Sequence, residues 1–281
     1  MVNFLIVGAN KAGTTSLYFY LNQHPEIFLS NVKEPMFFNH YFNQKEDSKF
    51  RTSKVIRSKK SYHKLFEDAK GNYKLLGEAS TSYLANPSCS TAIYDYNPNM
   101  KIIILLRNPI ERAYSNYLMY VRLGIEKRSF RKAIKDNLAR RELQQGQKYV
   151  DLGMYSSAVK IYLETFNDVK IILFDDFIKN TQLELSDIYN FLNVKNDFLA
   201  KVETRFNNND NVEIRLHMKI IKKITQLLNL EEYFPAQIKS FYKRNRLKMS
   251  ENDKDFLKKI YEKDVRDLSK ILNTDLSHWL R

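Results

Sequence analysis

The chain has 281 residues, 43% of them hydrophobic, with 46 Lys+Arg against 32 Asp+Glu and a formal net charge of +14. That composition supports a buried core and an anionic partner, although scattered lysines also suit a plain solvated surface. A single cysteine, Cys89, excludes an intramolecular disulfide and any multi-cysteine metal site, and no run approaches the ~20 apolar residues of a membrane span. The first apolar run is too short for a signal-peptide core, so the expectation is a soluble, cytoplasmic protein.

In chain order, Phe4-Leu5-Ile6-Val7 reads as a buried strand, followed by Gly8-Ala9-Asn10-Lys11-Ala12-Gly13-Thr14-Thr15-Ser16. Residues 14–23 have helical spacing that His24-Pro25 ends. Ile27-Phe28-Leu29 is a short strand, residues 39–60 a polar surface excursion, and residues 73–76 a strand closed by Gly77-Glu78. Ile102 to Leu106 and Val169 to Phe174 are further buried strands, and helical patterns recur near residues 110–123, 155–166, 183–192, 214–230 and 252–272. Alternating strands and helices predict an α/β fold: one domain over residues 1–281, with a mainly parallel central sheet flanked by helices.

The first strand-loop-helix corner is built for an anion. Gly8 and Gly13 allow a tight backbone path, the helix start offers amides and its positive dipole end, and Thr14, Thr15 and Ser16 add hydroxyls while Lys11 adds charge. The loop is P-loop-like, but Thr14 stands where a nucleotidase would carry its lysine. The second corner, Arg107-Asn108-Pro109-Ile110-Glu111-Arg112-Ala113-Tyr114-Ser115, also follows a strand. Pro109 suits a first helical turn, Arg107 offers a planar cationic fork suited to phosphate, and Ser115 lies two turns on. Two such corners predict one ligand with two anionic ends.

The pair resembles the two signatures of sulfotransferases that use 3′-phosphoadenosine 5′-phosphosulfate (PAPS), a 5′-phosphosulfate loop of K-x-G-T-T/S type and a 3′-phosphate element of R-x-P-x-x-R-x-x-S type. The resemblance implies that Lys11, Ala12, Gly13, Thr14, Thr15 and Ser16 hold the phosphosulfate, with Lys11 neutralising charge at the transferring group, and that Arg107 and Ser115 bind the 3′-phosphate. It extends to Lys33-Glu34-Pro35-Met36-Phe37-Phe38, similar to a heparan-sulfate-type segment whose glutamate is the base, and to Glu78-Ala79-Ser80-Thr81-Ser82-Tyr83. Gly153-Met154-Tyr155, Asp176-Phe177, the late Arg244-Asn245-Arg246 loop and Asp275 to Trp279 also fit, which implies that Tyr155, Arg244, Asn245 and Arg246 contact the nucleotide. Ala79 stands where many heparan-type members carry lysine, Asn245 where the late loop carries glycine, and the cysteine pair of secreted members is absent.

Sulfuryl transfer by in-line displacement needs alignment, charge neutralisation and a base for the acceptor proton. Lys11 and the loop amides suit the first two, and Glu34 is the candidate base, expected in a cleft beside Phe37 and Phe38. His40 is the next contender, and Phe37, Phe38, His40, Ser80 and Tyr83 are candidate acceptor contacts. Phe50, Tyr62 and Phe66, within and just beyond the basic stretch 45–64, suggest an acceptor-facing lid. No histidines show metal-ligand spacing, and by resemblance no metal is needed. The acceptor expected is a hydroxyl or a nitrogen of a glycan or small natural product, an alkaloid of saxitoxin type being one conceivable case, with no nucleic acid and no membrane span. The rival readings are a P-loop kinase or NTPase, for which Asp175-Asp176 would end a Walker-B strand, and a basic nucleic-acid-binding protein.

Overall fold

Five short apolar runs become strands β1 (Phe4–Gly8), β2 (Ile27–Leu29), β3 (Leu75–Ala79), β4 (Lys101–Leu106) and β5 (Val169–Leu173). They form a sheet in the order β2-β3-β1-β4-β5, and every neighbouring pair is parallel. This is a computed structural model, and it describes residues 1–39, 56–69, 71, 73–123, 125–140, 147–202 and 249–281. All of β1, and β4 beyond Lys101, are buried, as expected for central strands covered on both faces.

The covering helices among the described residues are α1 (Thr14–Leu21), α2 (Lys59–Lys64), α3 (Ser82–Ala85), α4 (Cys89–Tyr96), α5 (Pro109–Arg122), α6 (Phe130–Leu138), α7 (Ser156–Thr165), α8 (Phe174–Lys179), α9 (Thr181–Leu192) and α10 (Glu251–Leu272). Helix α5 begins as its sequence suggests, with Pro109 in the first turn and the Asn108 side chain accepting from the Ile110 amide. Helix α10 packs on α5 and α7, and Asp264 accepts from the Tyr155 and Ser156 amides and the Ser156 hydroxyl, capping α7 from outside. The α/β architecture is as the sequence predicts; the expected helix at 214–230 lies outside the described residues.

Two strand boundaries differ from expectation. Strand β5 stops at Leu173, so Asp175 and Asp176 sit in the first turn of α8 rather than at a strand end. Strand β3 runs through Gly77-Glu78 instead of closing there. The glycine is needed for packing: a Cβ on Gly77 would lie 2.2 Å from the Phe4 ring. Gly77→Ala is therefore expected to cost about 2–3 kcal/mol by overpacking, read as a lower urea midpoint; an unchanged midpoint would contradict this packing.

The supposed lid is also different. Tyr62 is fully buried and stacks on Phe37 with ring centroids 4.2 Å apart, and Phe66 packs edge-on to Tyr62. These rings belong to the core rather than to an acceptor-facing surface, while Phe50 lies outside the described residues.

Candidate active site

The carboxyl ends of β3, β1 and β4 lie side by side, with β1 in the middle. The chain leaves β1 toward the β2–β3 side and returns to β4 on the other, which makes the β1 end a topological switch point, where open α/β sheets bind ligands. Both anion-binding corners start here, and the Ala9 amide donates to the Leu105 carbonyl at 2.6 Å, pinning one to the other.

In the first corner Gly13 has φ 92° and precedes α1 without a side-chain cap. A Cβ at this position would meet the Phe174 ring at 2.9 Å, so both conformation and space require glycine. The first amides of a helix have no partner in a preceding turn, and those of Thr14 and Thr15 occupy that position. Lys11, itself left-handed with φ 67°, is pushed down to about 8 by burial and then by the neighbouring Arg122, Arg107, Arg112 and Lys33 charges. Among the described residues the one hydrogen-bond partner of its ammonium is the Met119 thioether, 3.8 Å away. A desolvated ammonium among four other cations is a site that an anion would stabilise.

Arg107 joins the corners. Its guanidinium donates to the Lys11 carbonyl at 3.4 Å, lies over the Phe174 ring at 4.8 Å and pairs with the exposed Glu111 at 2.8 Å. That exposed pair is weak and leaves the arginine available to a phosphate. Ser115 lies half-buried on α5, the helix that starts just after Arg107 in the chain. The buried Tyr155 hydroxyl donates to the Arg107 carbonyl at 3.1 Å, so Tyr155 braces the corner through its backbone. Arg112, which sequence reasoning did not single out, is fully buried on α5 and donates to the Tyr149 carbonyl. It adds fixed positive charge beneath Lys11.

The third group comes from β3 and the segment before α2. The Glu34 carboxylate accepts from the Thr81 amide at 2.9 Å, the Thr81 hydroxyl at 3.0 Å and Lys33 at 3.2 Å. Phe38, Ser80 and Tyr83, expected as acceptor contacts, are buried: the two hydroxyls serve the interior and the phenyl ring packs within it. Ser80 and Tyr83 donate to Glu78 at 2.8 and 2.7 Å, and Phe38 packs edge-on to Tyr62, Tyr83 and Tyr96. Phe37 is half-buried against Tyr62. The carboxyl pushed up, to about 8 by burial and the nearby Glu34 charge, is Glu78. A buried acid in strand β3 followed by Ser-Thr-Ser-Tyr was the sequence signal for it. His40, Arg244, Asn245 and Arg246 lie outside the described residues.

Beside the first corner is a cavity of about 240 Å³ whose lining includes Asn10, Thr81, Leu84, Met154, Tyr155 and Ser157. Among the described residues the buried Asn10 side-chain oxygen has no hydrogen-bond partner, leaving one polar contact open. Among the described residues no group of three His, Cys, Asp or Glu is placed to hold a metal ion, and no helix is long and apolar enough to cross a membrane.

The residues fit a ligand anionic at both ends: unneutralised charge at Lys11, helix-start amides beside it, and an arginine in the adjoining corner. Similarity to known proteins runs the same way. Membrane-associated sulfotransferase kil1 of Dictyostelium discoideum is 36% identical over 117 residues, 41% of this chain and 22% of that protein. Human carbohydrate sulfotransferase 15 is 24% identical over 248 residues, covering 68% of this chain and 44% of its own. The chain thus spans less than half the length of these curated relatives. The crystal structure of a sulfotransferase from Alicyclobacillus acidocaldarius matches with a TM-score of 0.79 and 30% identity, over 100% of this chain and 99% of that one. The sequence profile of the Sulfotransferase family matches residues 3–197, both corners and the Glu34 and Thr81 segments included, and the chain belongs to that family.

Proposed function

We propose that the chain, as one domain over residues 1–281, moves the sulfuryl group from PAPS to a hydroxyl or nitrogen of a glycan or small natural product, in the cytoplasm and without a metal. When bound, PAPS supplies the sulfuryl group and a leaving phosphate. Lys11 and the α1 amides hold negative charge at one end of the site, and Arg107 with Ser115 holds it at the other. Glu34 takes the acceptor proton, kept in place by Thr81. The carbohydrate in one relative's name favours a glycan.

The observation that carries this reading is the Lys11 ammonium, desolvated among cations and without an acidic partner among the described residues. Calorimetry with adenosine 3′,5′-bisphosphate, ATP–Mg²⁺ and duplex DNA tests it against both rivals. Discrete binding of the bisphosphate alone is expected. In the free protein Lys11 is about half deprotonated near pH 8, whereas a bound anion raises that value, so binding at pH 8–9 takes up a proton and affinity falls as pH rises. No bisphosphate binding at pH 7 sinks the sulfotransferase reading; binding without proton uptake at pH 9 removes Lys11 from it.

A further inference from the structure

The strap formed by residues 34–38 has a backbone that its sequence does not favour. Glu34 has φ 60° and Met36 φ 55°, both in the left-handed region that L side chains disfavour, on either side of a proline with fixed φ. Such a segment persists only where its surroundings over-determine it. The Glu34 amide donates to the Ala79 carbonyl at 2.9 Å, adding the strap to the end of β3. Beyond that, the amides of Met36 and Phe38 donate to two side-chain hydroxyls, Ser80 at 3.1 Å and Tyr83 at 3.3 Å. Each hydroxyl in turn spends its own proton on one oxygen of Glu78, a carboxyl with 0% exposure.

We infer that Glu78, acting through the Ser80 and Tyr83 hydroxyls, is the positioning residue that fixes the 34–38 strap and with it the Glu34 carboxylate. The consequence for turnover rests on the proposed role of Glu34; the structural part stands without it. Glu78 reaches no cleft, because both its oxygens are occupied by hydroxyls from the protein. Its chemistry suits positioning above about pH 8, where the carboxyl is ionised and only accepts; it then draws both hydroxyl protons inward and turns two oxygen lone pairs toward the strap amides. A glutamine of the same shape has one accepting oxygen and one donating nitrogen. It leaves one hydroxyl proton without an acceptor and reverses half of the network. A space-filling role predicts that this exchange is harmless, whereas a positioning role predicts that the strap loosens.

The test compares the full chain with Glu78→Gln and Tyr83→Phe at about pH 9, above the value of about 8 to which Glu78 is pushed, so that its carboxyl is ionised. Amide hydrogen exchange at Met36 and Phe38 is read against Leu5 to Val7 of β1 as an internal control. Because a buried amide deprived of its acceptor is at stake, the strap amides are expected to exchange roughly 10- to 100-fold faster, while the β1 amides and bisphosphate affinity stay unchanged. Turnover of PAPS with an amino-sugar oligosaccharide as acceptor probe should fall by about tenfold, and fall no further when the same variants are made in a Glu34→Gln background, as expected for groups acting through one residue. Unchanged strap protection in both variants overturns the inference, as does full additivity with Glu34→Gln. If both variants also lose β1 protection, Ser80→Ala decides from the Met36 amide alone. Failure of the wild-type chain to bind bisphosphate would count against the sulfotransferase reading and leave the exchange result standing.

Discussion

Lys11→Ala is expected to lower sulfuryl transfer by about 10³-fold, at the upper end of what removing one preorganised charge-stabilising donor costs, while leaving the fold intact. The loop keeps its amides, and its path is set by Gly13 and the Ala9–Leu105 hydrogen bond, neither of which involves the lysine side chain. The same substitution is expected to stabilise the ligand-free protein. Lys11 titrates at about 8 in the folded chain against an ordinary 10.5, a difference on the order of 3 kcal/mol disfavouring the charged form. With the folded value below the unfolded one, that cost is fully present below pH 8 and is relieved as pH rises toward 10.5. At pH 7 the variant should therefore melt a few degrees higher without ligand, after allowing for the packing lost with the lysine stem. Turnover close to wild type would remove Lys11 from the mechanism, and a lower melting temperature would contradict the electrostatic account of its burial.

Glu34→Gln should reduce turnover by about 10²- to 10⁴-fold, the range for loss of a positioned general base, with bisphosphate affinity within about twofold of wild type. Glutamine keeps the shape and one acceptor for Thr81, so a structural contribution would survive while the proton acceptor would not. Single-turnover release of bisphosphate across hydroxyl and amine acceptors, with calorimetry on the same samples, separates the two. If turnover barely moves, the base lies elsewhere and His40 is the next residue to replace.

The parts legible in the sequence were those governed by local rules. Strands β1 and β4 are uninterrupted apolar runs, and the two corners combine glycine or proline with charged groups at a strand end. What was missed depended on tertiary contacts. Gly77 reads as strand punctuation, yet it lies inside β3 because only a hydrogen fits against Phe4. That misreading hid Glu78, whose neighbours Ser80 and Tyr83 look like surface hydroxyls until the buried carboxyl that engages them is known. Phe37, Phe38, Tyr62 and Phe66 are aromatic residues in or beside a polar stretch, and periodicity does not show that they pack on one another. Helix α6 was readable in principle: its buried Phe130, Ala133, Ile134 and Asn137 follow helical spacing, masked by the charges between them.

The central position of β1 has a consequence for how this molecule can change over generations. The Lys11 loop extends from a strand hydrogen-bonded on both edges, so its location is dictated by main-chain ladders to β3 and β4 that exchange of one ordinary side chain for another leaves in place. Glu34 is carried outside those ladders, on a strap tied largely by side chains. Sequence drift therefore acts unequally on the two: under the roles proposed above, the nucleotide half is buffered, whereas the acceptor half can be rebuilt by a few substitutions. New acceptors can be acquired while the donor stays the same.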